Sequence, residues 1–240
     1  MSEIAEFQFD GDDIKSFLAE KLGFDGDIVD MVAGNSGPVI HKWLHYLPIY
    51  DHFFGRFRET NVRFLEIGVS KGGSLKLWRE YFGPDATIFG IDIDPACSDL
   101  DGRYGEVRIG SQTNLAFLDK LVDEMRGVDV IIDDGSHQMG DISATMTHLF
   151  PKLAVPGVYL IEDLHTAFWE NYGGGVHTQT NFFRYLPSFA QRLHRCYHSS
   201  SDDGLPSGFD EMSSFHVYDS VTVLCKSPQH APRHARVGVE

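Results

Sequence analysis

Two pairs of neighbouring carboxylates follow two apolar runs of the sequence. Asp133 and Asp134 end the stretch VDVIIDDG, and Glu162 and Asp163 end the stretch GVYLIEDL. Each apolar run is typical of a buried strand, and the carboxyl ends of parallel strands lie at one edge of a sheet. We therefore expect the four side chains to converge, although like charges in a confined site raise one another's pKa.

A bound divalent cation would remove that conflict. Ligands that are all oxygen atoms favour Mg²⁺ or Ca²⁺ over zinc, with Mn²⁺ as a further candidate. Successive strand residues point to opposite sides of a sheet, so one residue of each pair can point away from the ion. The alternative is that these are solvated loop carboxylates that cap the helices after them.

A histidine stands three residues after the second carboxylate. His137 and Asp134 can therefore face one cavity. The reference pKa of an imidazole is about 6.5, so the group can accept a proton at neutral pH. His137 is therefore a candidate general base for a hydroxyl group. The alternative is an ordinary surface or core histidine, since the chain has 12 of them. His165, just after the second carboxylate pair, is a candidate for contact with a substrate.

Short apolar runs alternate with helix-like segments from residue 62 onwards. The pattern predicts helices at 72–83, 114–127 and 141–154, and strands at 62–69, 87–94, 105–111, 128–135 and 157–164. Such alternation is typical of an α/β fold with a Rossmann-like, doubly wound sheet that is mainly parallel. The stretch SFHVYDSVTVLCK predicts a late antiparallel strand.

A glycine-rich turn joins the first predicted strand to its helix. In LEIGVSKGGSL, Gly68, Gly72 and Gly73 allow the backbone to approach a nucleotide-like ligand closely. Gly68-x-Ser70-x-x-Gly73 also resembles a dinucleotide-binding pattern whose middle glycine is replaced, so NAD is an alternative ligand. A tight turn without any ligand is a further alternative.

The strand ends near this turn favour a ligand with a cationic amine. Glu66 stands two residues before the first glycine, and a carboxylate suits an amine better than a pyrophosphate. Asp92 ends the second strand and is well placed for ribose hydroxyls, with Asp94 as a more solvent-facing alternative. The residues Gly110, Ser111 and Gln112 after the third strand are candidates to line an adenine.

At this point the chain resembles a class I S-adenosylmethionine-dependent methyltransferase. The resemblance lies in LEIGVSKGG, GIDID, IGSQTN, IIDDGSH and LIEDLHT. More narrowly, the chain resembles the metal-dependent sugar O-methyltransferases of macrolide and glycoside tailoring and of mycobacterial methylated-sugar pathways. The segment HKWLHYLPIYDHFF is similar to that group as well.

The resemblance implies S-adenosylmethionine and Mg²⁺ as cofactors, a vicinal diol of a sugar or glycoside as the acceptor, and a homodimer. It implies Asp134, Glu162 and Asp163 as metal ligands, with Asp133 structural or near the cofactor. His137 would deprotonate the hydroxyl that is methylated. The expected cofactor contacts are Glu66, Gly68, Ser70, Gly72, Ser74, Asp92, Gly110, Ser111, Gln112 and Asp133.

Three other functions stay open at this level. A catechol or phenol is also a chelating acceptor, and related sequences resemble antibiotic-tailoring hydroxylase components. An NAD-binding oxidoreductase or a non-catalytic nucleotide-binding module is the third alternative. Glu66 and the strand-end carboxylates argue against that last class.

The chain is predicted to have three parts. Residues 1–60 form a helical segment that covers the cofactor, residues 61–227 form the methyltransferase domain, and residues 228–240 form a disordered tail. Tyr46 and Tyr50 in the aromatic first part are candidates to stack on a sugar ring, although such stripes are more often core. Pro48 is expected to break or kink that stretch, and Pro187 to disrupt the helical stretch FFRYLPSFAQRLHRCY.

Charge and cysteine content limit the partners and the compartment. With 20 Lys and Arg against 35 Asp and Glu, the formal net charge is −15, so nucleic acid and anionic membranes are poor partners. No apolar run reaches the roughly 20 residues that span a bilayer. The acidic start MSEIAEFQFDGDD is not typical of a secretory signal. Cys97, Cys196 and Cys225 form no CxxC pair, which indicates reduced thiols in the cytoplasm.

Overall fold

The computed structural model describes residues 11–197 and 204–238. By its internal contacts the chain divides into two compact units, residues 1–111 and 112–240. The predicted boundaries at residues 60 and 227 stay predictions. Residues 1–10 of the predicted acidic start and residues 239–240 of the predicted tail lie outside the described residues.

The described residues contain seven α-helices and seven strands. The helices are α1 (Gly11–Phe17), α2 (Asp27–Ala33), α3 (Leu47–Phe54), α4 (Gly73–Phe82), α5 (Leu115–Glu124), α6 (Met139–Leu149) and α7 (Leu186–Leu193). The strands are β1 (Arg63–Ile67), β2 (Thr87–Asp92), β3 (Glu106–Ile109), β4 (Val128–Asp133), β5 (Leu153–Ile161), β6 (Met212–Val217) and β7 (Thr222–Lys226). Short 3₁₀ turns and one π-helical turn (Leu18–Leu22) connect them.

The first unit has three parallel strands in the order β3-β2-β1. Strand β1 is buried from its second residue onwards, as its continuous apolar run predicts. Helix α4 contributes Trp78, whose ring lies 5.1 Å from that of Tyr50 and 5.3 Å from that of Phe64, measured between ring centroids. This aromatic core joins the N-terminal helices of the unit to α4 and β1.

The second unit contains the remaining strands in the order β4-β5-β7-β6. Strands β4 and β5 are parallel, whereas β7 pairs antiparallel with both β5 and β6. The last two strands form a hairpin whose turn contains Ser220. The prediction of a mainly parallel α/β sheet with a late antiparallel strand is therefore confirmed.

Both prolines that we expected to interrupt helical stretches instead begin α-helices. Pro48 lies in the first turn of α3, after the 3₁₀ turn Leu44–Tyr46. Pro187 lies in the first turn of α7, after the 3₁₀ turn Phe182–Tyr185. The first turn of a helix tolerates proline because its N–H groups have no partner within the helix.

The last described residues of the chain are irregular. Residues 228–238 form neither helix nor strand. None of the helices in residues 11–197 and 204–238 has the length and apolar content needed to cross a bilayer. Within the part of the chain that the structure describes, the three cysteines form no disulfide with one another, and Cys97 is buried whereas Cys196 is exposed.

Candidate active site

The glycine loop of the first unit runs from the end of β1 into α4. Gly68 and Gly72 have φ values of +91° and +78°, in the left-handed region that favours glycine. Asp92 Oδ2 accepts hydrogen bonds from the backbone N–H groups of Val69, at 3.1 Å, and Ser70, at 3.0 Å. The carboxylate that we predicted to bind ribose hydroxyls therefore also fixes the loop beside it.

The loops after β2 and β3 carry two further residues of the predicted cofactor site, Gly110 and Ser111, and also Asp94, the alternative to Asp92. Asp94 is exposed and accepts a hydrogen bond from Ala96 N–H, so it faces solvent as expected. Gly110 N–H donates to the carbonyl of Asp92 over 2.9 Å. Ser111 is half-buried next to it. The fold thus places Gly110 and Ser111 directly after the strand that neighbours Asp92.

Glu66 is fully buried at the end of β1. Its Oε2 accepts a hydrogen bond from Ser74 Oγ at 2.9 Å, and its Oε1 accepts one from Trp78 Nε1 at 3.1 Å. Ser74, a predicted cofactor contact, therefore orients Glu66. The Lys42 ammonium also lies 4.0 Å from Glu66, a contact that the sequence analysis missed. A single lysine in an aromatic stretch has no spacing that would reveal it.

The third glycine of the loop has a packing reason for its size. A Cβ at Gly73 would overlap the backbone carbonyl of Val39. We had explained this glycine by the close approach of a ligand. In the structure, residues 39–40 of the same chain take that space.

The two tyrosines proposed to stack on a sugar are core residues. Tyr46 and Tyr50 are both 0% exposed. Their ring centroids are 6.1 Å apart, and Tyr50 packs edge-on against Trp78. Packing alone accounts for both tyrosines, and their contact with an acceptor stays a prediction.

Gln112 joins three segments of the second unit. Its Nε2 donates to Asp133 Oδ1 at 3.2 Å and to Thr145 Oγ1 at 3.1 Å, while its Oε1 accepts from Ser136 N–H at 2.7 Å. The side chain therefore connects the end of β4, the loop after it and α6. We predicted that Gln112 lines an adenine, but its amide already binds within the protein.

Asp133 is the buried member of the first carboxylate pair, with 2% exposure. Tyr159 donates a hydrogen bond to its Oδ2 over 2.8 Å. Burial raises the pKa of the Asp133 carboxyl to about 7, against the hydrogen bonds from Tyr159 and Gln112, which lower it. These contacts favour the structural role that we gave as one of two options for Asp133.

Asp134, His137 and Asp163 form a compact cluster of groups that can bind a metal. One ligand atom from each lies within 4.8 Å of the others. His137 Nε2 is 3.7 Å from Asp134 Oδ1 and 3.8 Å from Asp163 Oδ2. The three side chains are 20–25% exposed, so a solute can reach them. Two carboxylates suit a hard divalent cation, and the imidazole can either ligate it or accept a proton.

Two members of this cluster have unusual backbone conformations. His137 and Asp163 have φ values of +56° and +54°. Such angles are uncommon for residues with a Cβ and occur preferentially at functional sites. The turn at each position aims the side chain toward the cluster.

Glu162, the third predicted metal ligand, occupies a different environment. Its side chain is 1% exposed, and its backbone N–H donates to the Asp133 carbonyl over 3.0 Å. Among the described residues, the cluster contains His137 and not Glu162 beside the two aspartates. The role of Glu162 as a ligand stays a prediction.

The turn between β6 and β7 holds the segment that follows Asp163. The Ser220 carbonyl accepts a hydrogen bond from Leu164 N–H at 2.8 Å. The hydroxyl oxygen of Ser220 lies 2.6 Å from His165 Nδ1. The His165 ring also packs edge-on against Trp169, with ring centroids 4.8 Å apart. These contacts fix His165, whose contact with a substrate stays a prediction.

A loop after β5 lies beside His137. Gln138 Nε2 donates to the carbonyl of Asn171 at 3.2 Å, and the rings of His137 and Tyr172 are 6.5 Å apart. Thr166 Oγ1 also donates to the His137 carbonyl. The sequence analysis did not single out Tyr172.

A cleft of about 400 Å³ opens beside the start of α6, close in sequence to His137. It is lined by Met139, Gly140, Ser143, Gln179, Thr180, Asn181, Arg184, Tyr185, Ser188 and Gly204. Hydroxyl, amide and guanidinium groups contribute to this lining together with apolar atoms. Such groups are suited to hydrogen bonds with a neutral polar ligand.

Comparison with known proteins reveals relatives along most of the chain. It is 34% identical over 227 residues, 87% of its length, to 8-demethyl-8-(2-methoxy-alpha-L-rhamnosyl)-tetracenomycin-C 3'-O-methyltransferase of Streptomyces olivaceus, of which it covers 57%. It is 33% identical to mycinamicin VI 2''-O-methyltransferase of Micromonospora griseorubida, over 77% of this chain and 49% of that one. The chain is homologous to sugar O-methyltransferases.

Solved structures of a sugar O-methyltransferase from the mycinamycin pathway, MycE, agree with this homology. One, in complex with Mg and SAH, matches with a TM-score of 0.69 and 31% identity over 78% of this chain and 52% of that chain. Another, which also contains mycinamycin VI, matches with a TM-score of 0.74 and 26% identity over 95% and 66%. The resemblance to class I methyltransferases is confirmed.

The matches cover most of this chain but only part of each relative. The chain spans about half the length of the curated relatives it matches. No protein-family model matches it.

Proposed function

We propose that the chain is an S-adenosylmethionine-dependent and Mg²⁺-dependent O-methyltransferase that acts on a hydroxyl group of a sugar or glycoside. The observation that carries the proposal is the cluster of Asp134, His137 and Asp163, found in a homologue of sugar O-methyltransferases. The named relatives act on sugars of tetracenomycin and of macrolides, and the MycE structures contain Mg and SAH.

The metal site is assigned to the cluster. Asp134 and Asp163 hold the ion through carboxylate oxygens, and Glu162 is a third ligand by resemblance to the family. Mn²⁺ or Ca²⁺ can replace Mg²⁺ at such a site, since all three prefer oxygen ligands. When bound, the ion lowers the pKa of an acceptor hydroxyl, and S-adenosylmethionine supplies the electrophilic methyl group.

His137 is assigned the role of general base. Its Nε2 lies less than 4 Å from a carboxylate oxygen of each aspartate, so the ring is beside the proposed metal site, where it can take the proton of the acceptor hydroxyl. The left-handed turn at His137 and the hydrogen bond from Thr166 to its carbonyl hold the ring in place. This chain thereby supplies proton transfer and orientation, which are the main demands of an in-line methyl transfer.

The cofactor site is assigned to the first unit. Glu66 binds the ammonium group of the cofactor, Asp92 its ribose, and the loop of Gly68, Ser70 and Gly72 approaches it through the backbone. Gly110 and Ser111 line the adenine. The evidence for Glu66 and Asp92 is their position at the ends of β1 and β2, where ligands of such sheets bind.

The acceptor is a small molecule with adjacent hydroxyl groups. The cleft beside α6 supports this assignment because its hydroxyl and amide groups can bind a sugar or the rest of a glycoside. A net charge of −15 makes nucleic acid a poor partner. We further propose a homodimer, by resemblance, and a cytoplasmic location, for which the support is the odd number of cysteines and their wide spacing in the sequence.

The test is a methyl-transfer screen over sugars and glycosides, read by mass, with and without a chelator. We expect turnover on a vicinal diol, its loss with EDTA and its return with excess Mg²⁺. His137→Gln should lower the rate about 100-fold or more, the usual contribution of a general base. His148→Gln is the matched control, since His148 lies on α6 and pairs with the surface residue Asp119.

Other outcomes of this screen separate the alternatives. Turnover on catechols and not on sugars would show that the acceptor is a catechol or phenol and not a sugar. Calorimetric binding of NAD without binding of S-adenosylhomocysteine would overturn the methyltransferase assignment. Full activity of His137→Gln on the true acceptor would remove His137 as the base.

A further inference from the structure

A buried lysine lies beside the carboxylate that precedes the glycine loop. The ammonium nitrogen of Lys42 is 4.0 Å from Oε1 of Glu66, and the two side chains are only 5% and 0% exposed. This distance exceeds that of a direct hydrogen bond, which is about 3 Å. Ser74 and Trp78 supply direct hydrogen bonds to Glu66. The positive charge is thus close to Glu66 without a direct bond between the two.

The segment that carries Lys42 packs against the start of α4. A Cβ at Gly73 would overlap the carbonyl of Val39, and a Cβ at Gly37 would lie 2.7 Å from the side chain of Lys76. Residues 37–40 therefore run along the first turns of the helix that follows the glycine loop. This close approach holds Lys42 next to the loop and to Glu66.

Stability alone is a weak reason for a buried ion pair. Removing each ion from water costs several kcal/mol, and apolar residues of similar size often stabilise a protein as well or better. A ligand with complementary charges gives the pair a function.

We propose that Lys42 binds the carboxylate of the cofactor's α-amino acid group while Glu66 binds its ammonium group. This inference rests on the proposed use of S-adenosylmethionine. The amino acid end of that cofactor is a zwitterion whose two charged groups are attached to the same carbon atom. A neighbouring cation and anion in the protein can therefore each face the opposite charge of the ligand. Lys42 is then a cofactor-binding residue of the first unit.

The experiment compares two ligands by calorimetry on the full chain. S-Adenosylhomocysteine has the amino acid group, whereas 5'-methylthioadenosine has the same nucleoside without it. We expect Lys42→Met to lower the affinity for S-adenosylhomocysteine about 10- to 100-fold, as for the loss of one charge-assisted hydrogen bond. The affinity of Lys42→Met for 5'-methylthioadenosine should match that of the wild type. Lys21→Met, at an exposed position of the π-helical turn, is the control.

A third ligand gives a reading that does not depend on any variant. The decarboxylated analogue of S-adenosylhomocysteine keeps the ammonium group and lacks the carboxylate. We expect it to bind the wild type about 10- to 100-fold more weakly than S-adenosylhomocysteine, and Lys42→Met to bind both with similar affinity. Lys42→Arg, which keeps the charge, should retain most of the preference.

The outcomes separate this inference from the proposed function. An equal loss of affinity for both nucleosides in Lys42→Met would make Lys42 structural and overturn the inference, as would equal binding of the decarboxylated analogue by the wild type. If the wild type bound neither nucleoside, the cofactor assignment itself would fail, and the inference with it.

Discussion

Gln112 donates a hydrogen bond from Nε2 to Oδ1 of Asp133 over 3.2 Å, inside the second unit. The oxygen of the same amide accepts from the backbone of Ser136 at 2.7 Å. One side chain therefore fixes both ends of the short stretch that contains Asp134 and leads to His137. Since a metal ligand needs a fixed orientation, Gln112 is expected to affect the metal site through this loop.

Replacing Gln112 should weaken metal binding more than cofactor binding. Gln112→Ala removes the hydrogen bond to Asp133 Oδ1 and the acceptor of the Ser136 N–H, which should cost about 1–3 kcal/mol of unfolding free energy. We expect Mn²⁺ affinity, measured by electron paramagnetic resonance, to fall about tenfold. Thr145→Val removes only the hydroxyl that accepts a hydrogen bond from Gln112 Nε2. It should therefore have a smaller effect on Mn²⁺ affinity.

The same variant tests the adenine contact that the sequence suggested. If Gln112 lines the adenine, Gln112→Ala should lower the affinity for S-adenosylhomocysteine in calorimetry. The internal hydrogen bonds of its amide favour unchanged affinity. A loss of nucleoside binding together with normal Mn²⁺ binding would support the sequence-based prediction instead.

The strands and the residues at their ends could be predicted from local pattern. Apolar runs of strand length, each followed by a polar turn, placed Asp92, Asp133 and Asp163 at or just after strand ends, where the structure has them. The prolines were misjudged because the same residue stops a helix in its interior and begins one in its first turn.

Contacts between residues far apart in sequence could not be predicted in this way. Lys42 meets Glu66 because the backbone at Val39 fits against Gly73, and no periodicity of the chain encodes that fit. The presence of His137 in the metal cluster depends on a left-handed backbone turn at a residue with a Cβ. Such a conformation is set by its surroundings and not by local propensity.

Cys97 should be far less reactive than an exposed thiol. Burial is the largest cause that raises the pKa of the Cys97 thiol from 9.0 to about 11, followed by the charge of Asp92. At pH 8 iodoacetamide should therefore label the exposed Cys196 first, as read by peptide mass mapping. The rate at Cys97 should rise about tenfold per pH unit as its thiolate fraction grows.

The same pKa predicts how Cys97 affects stability. Because the folded state holds the proton more tightly, the stabilisation is complete below pH 9 and is lost as the pH rises toward about 11. The difference in unfolding free energy between the wild type and Cys97→Ala should show this decline. Rapid labelling of Cys97 at pH 8 in the folded protein would contradict both expectations.

Ser220 should influence the metal site from the hairpin turn. Ser220→Ala removes the hydroxyl that lies 2.6 Å from His165 Nδ1 and should cost about 1 kcal/mol of unfolding free energy. Because this turn holds the segment after Asp163, Mn²⁺ affinity should also fall, by up to about tenfold. Ser213→Ala on β6 removes a hydroxyl of the same hairpin and should leave Mn²⁺ binding unchanged. Equal Mn²⁺ affinity in the two variants would make the Ser220 contact irrelevant to the site.

The Asp163 carboxylate should be essential for binding the ion. Asp163→Asn keeps the size of the side chain, and asparagine tolerates the φ of +54° well, so the variant should fold. We expect Mn²⁺ affinity to fall by more than about 100-fold, beyond the usual effect of outer-shell changes. Asp119→Asn, at a surface position paired with Lys152 and His148, is the control.

Thermal unfolding in Mg²⁺ gives a second reading of the same prediction. A ligand at 100 times its dissociation constant stabilises the folded state by about 2.7 kcal/mol, so Mg²⁺ should raise the melting temperature of the wild type and of Asp119→Asn. It should leave Asp163→Asn unchanged. Glu162→Gln then tests the third ligand, since a loss like that of Asp163→Asn would add Glu162 to the ion's ligands. A normal Mg²⁺ response in Asp163→Asn would place the ion elsewhere, because an amide cannot replace the charge of the lost carboxylate.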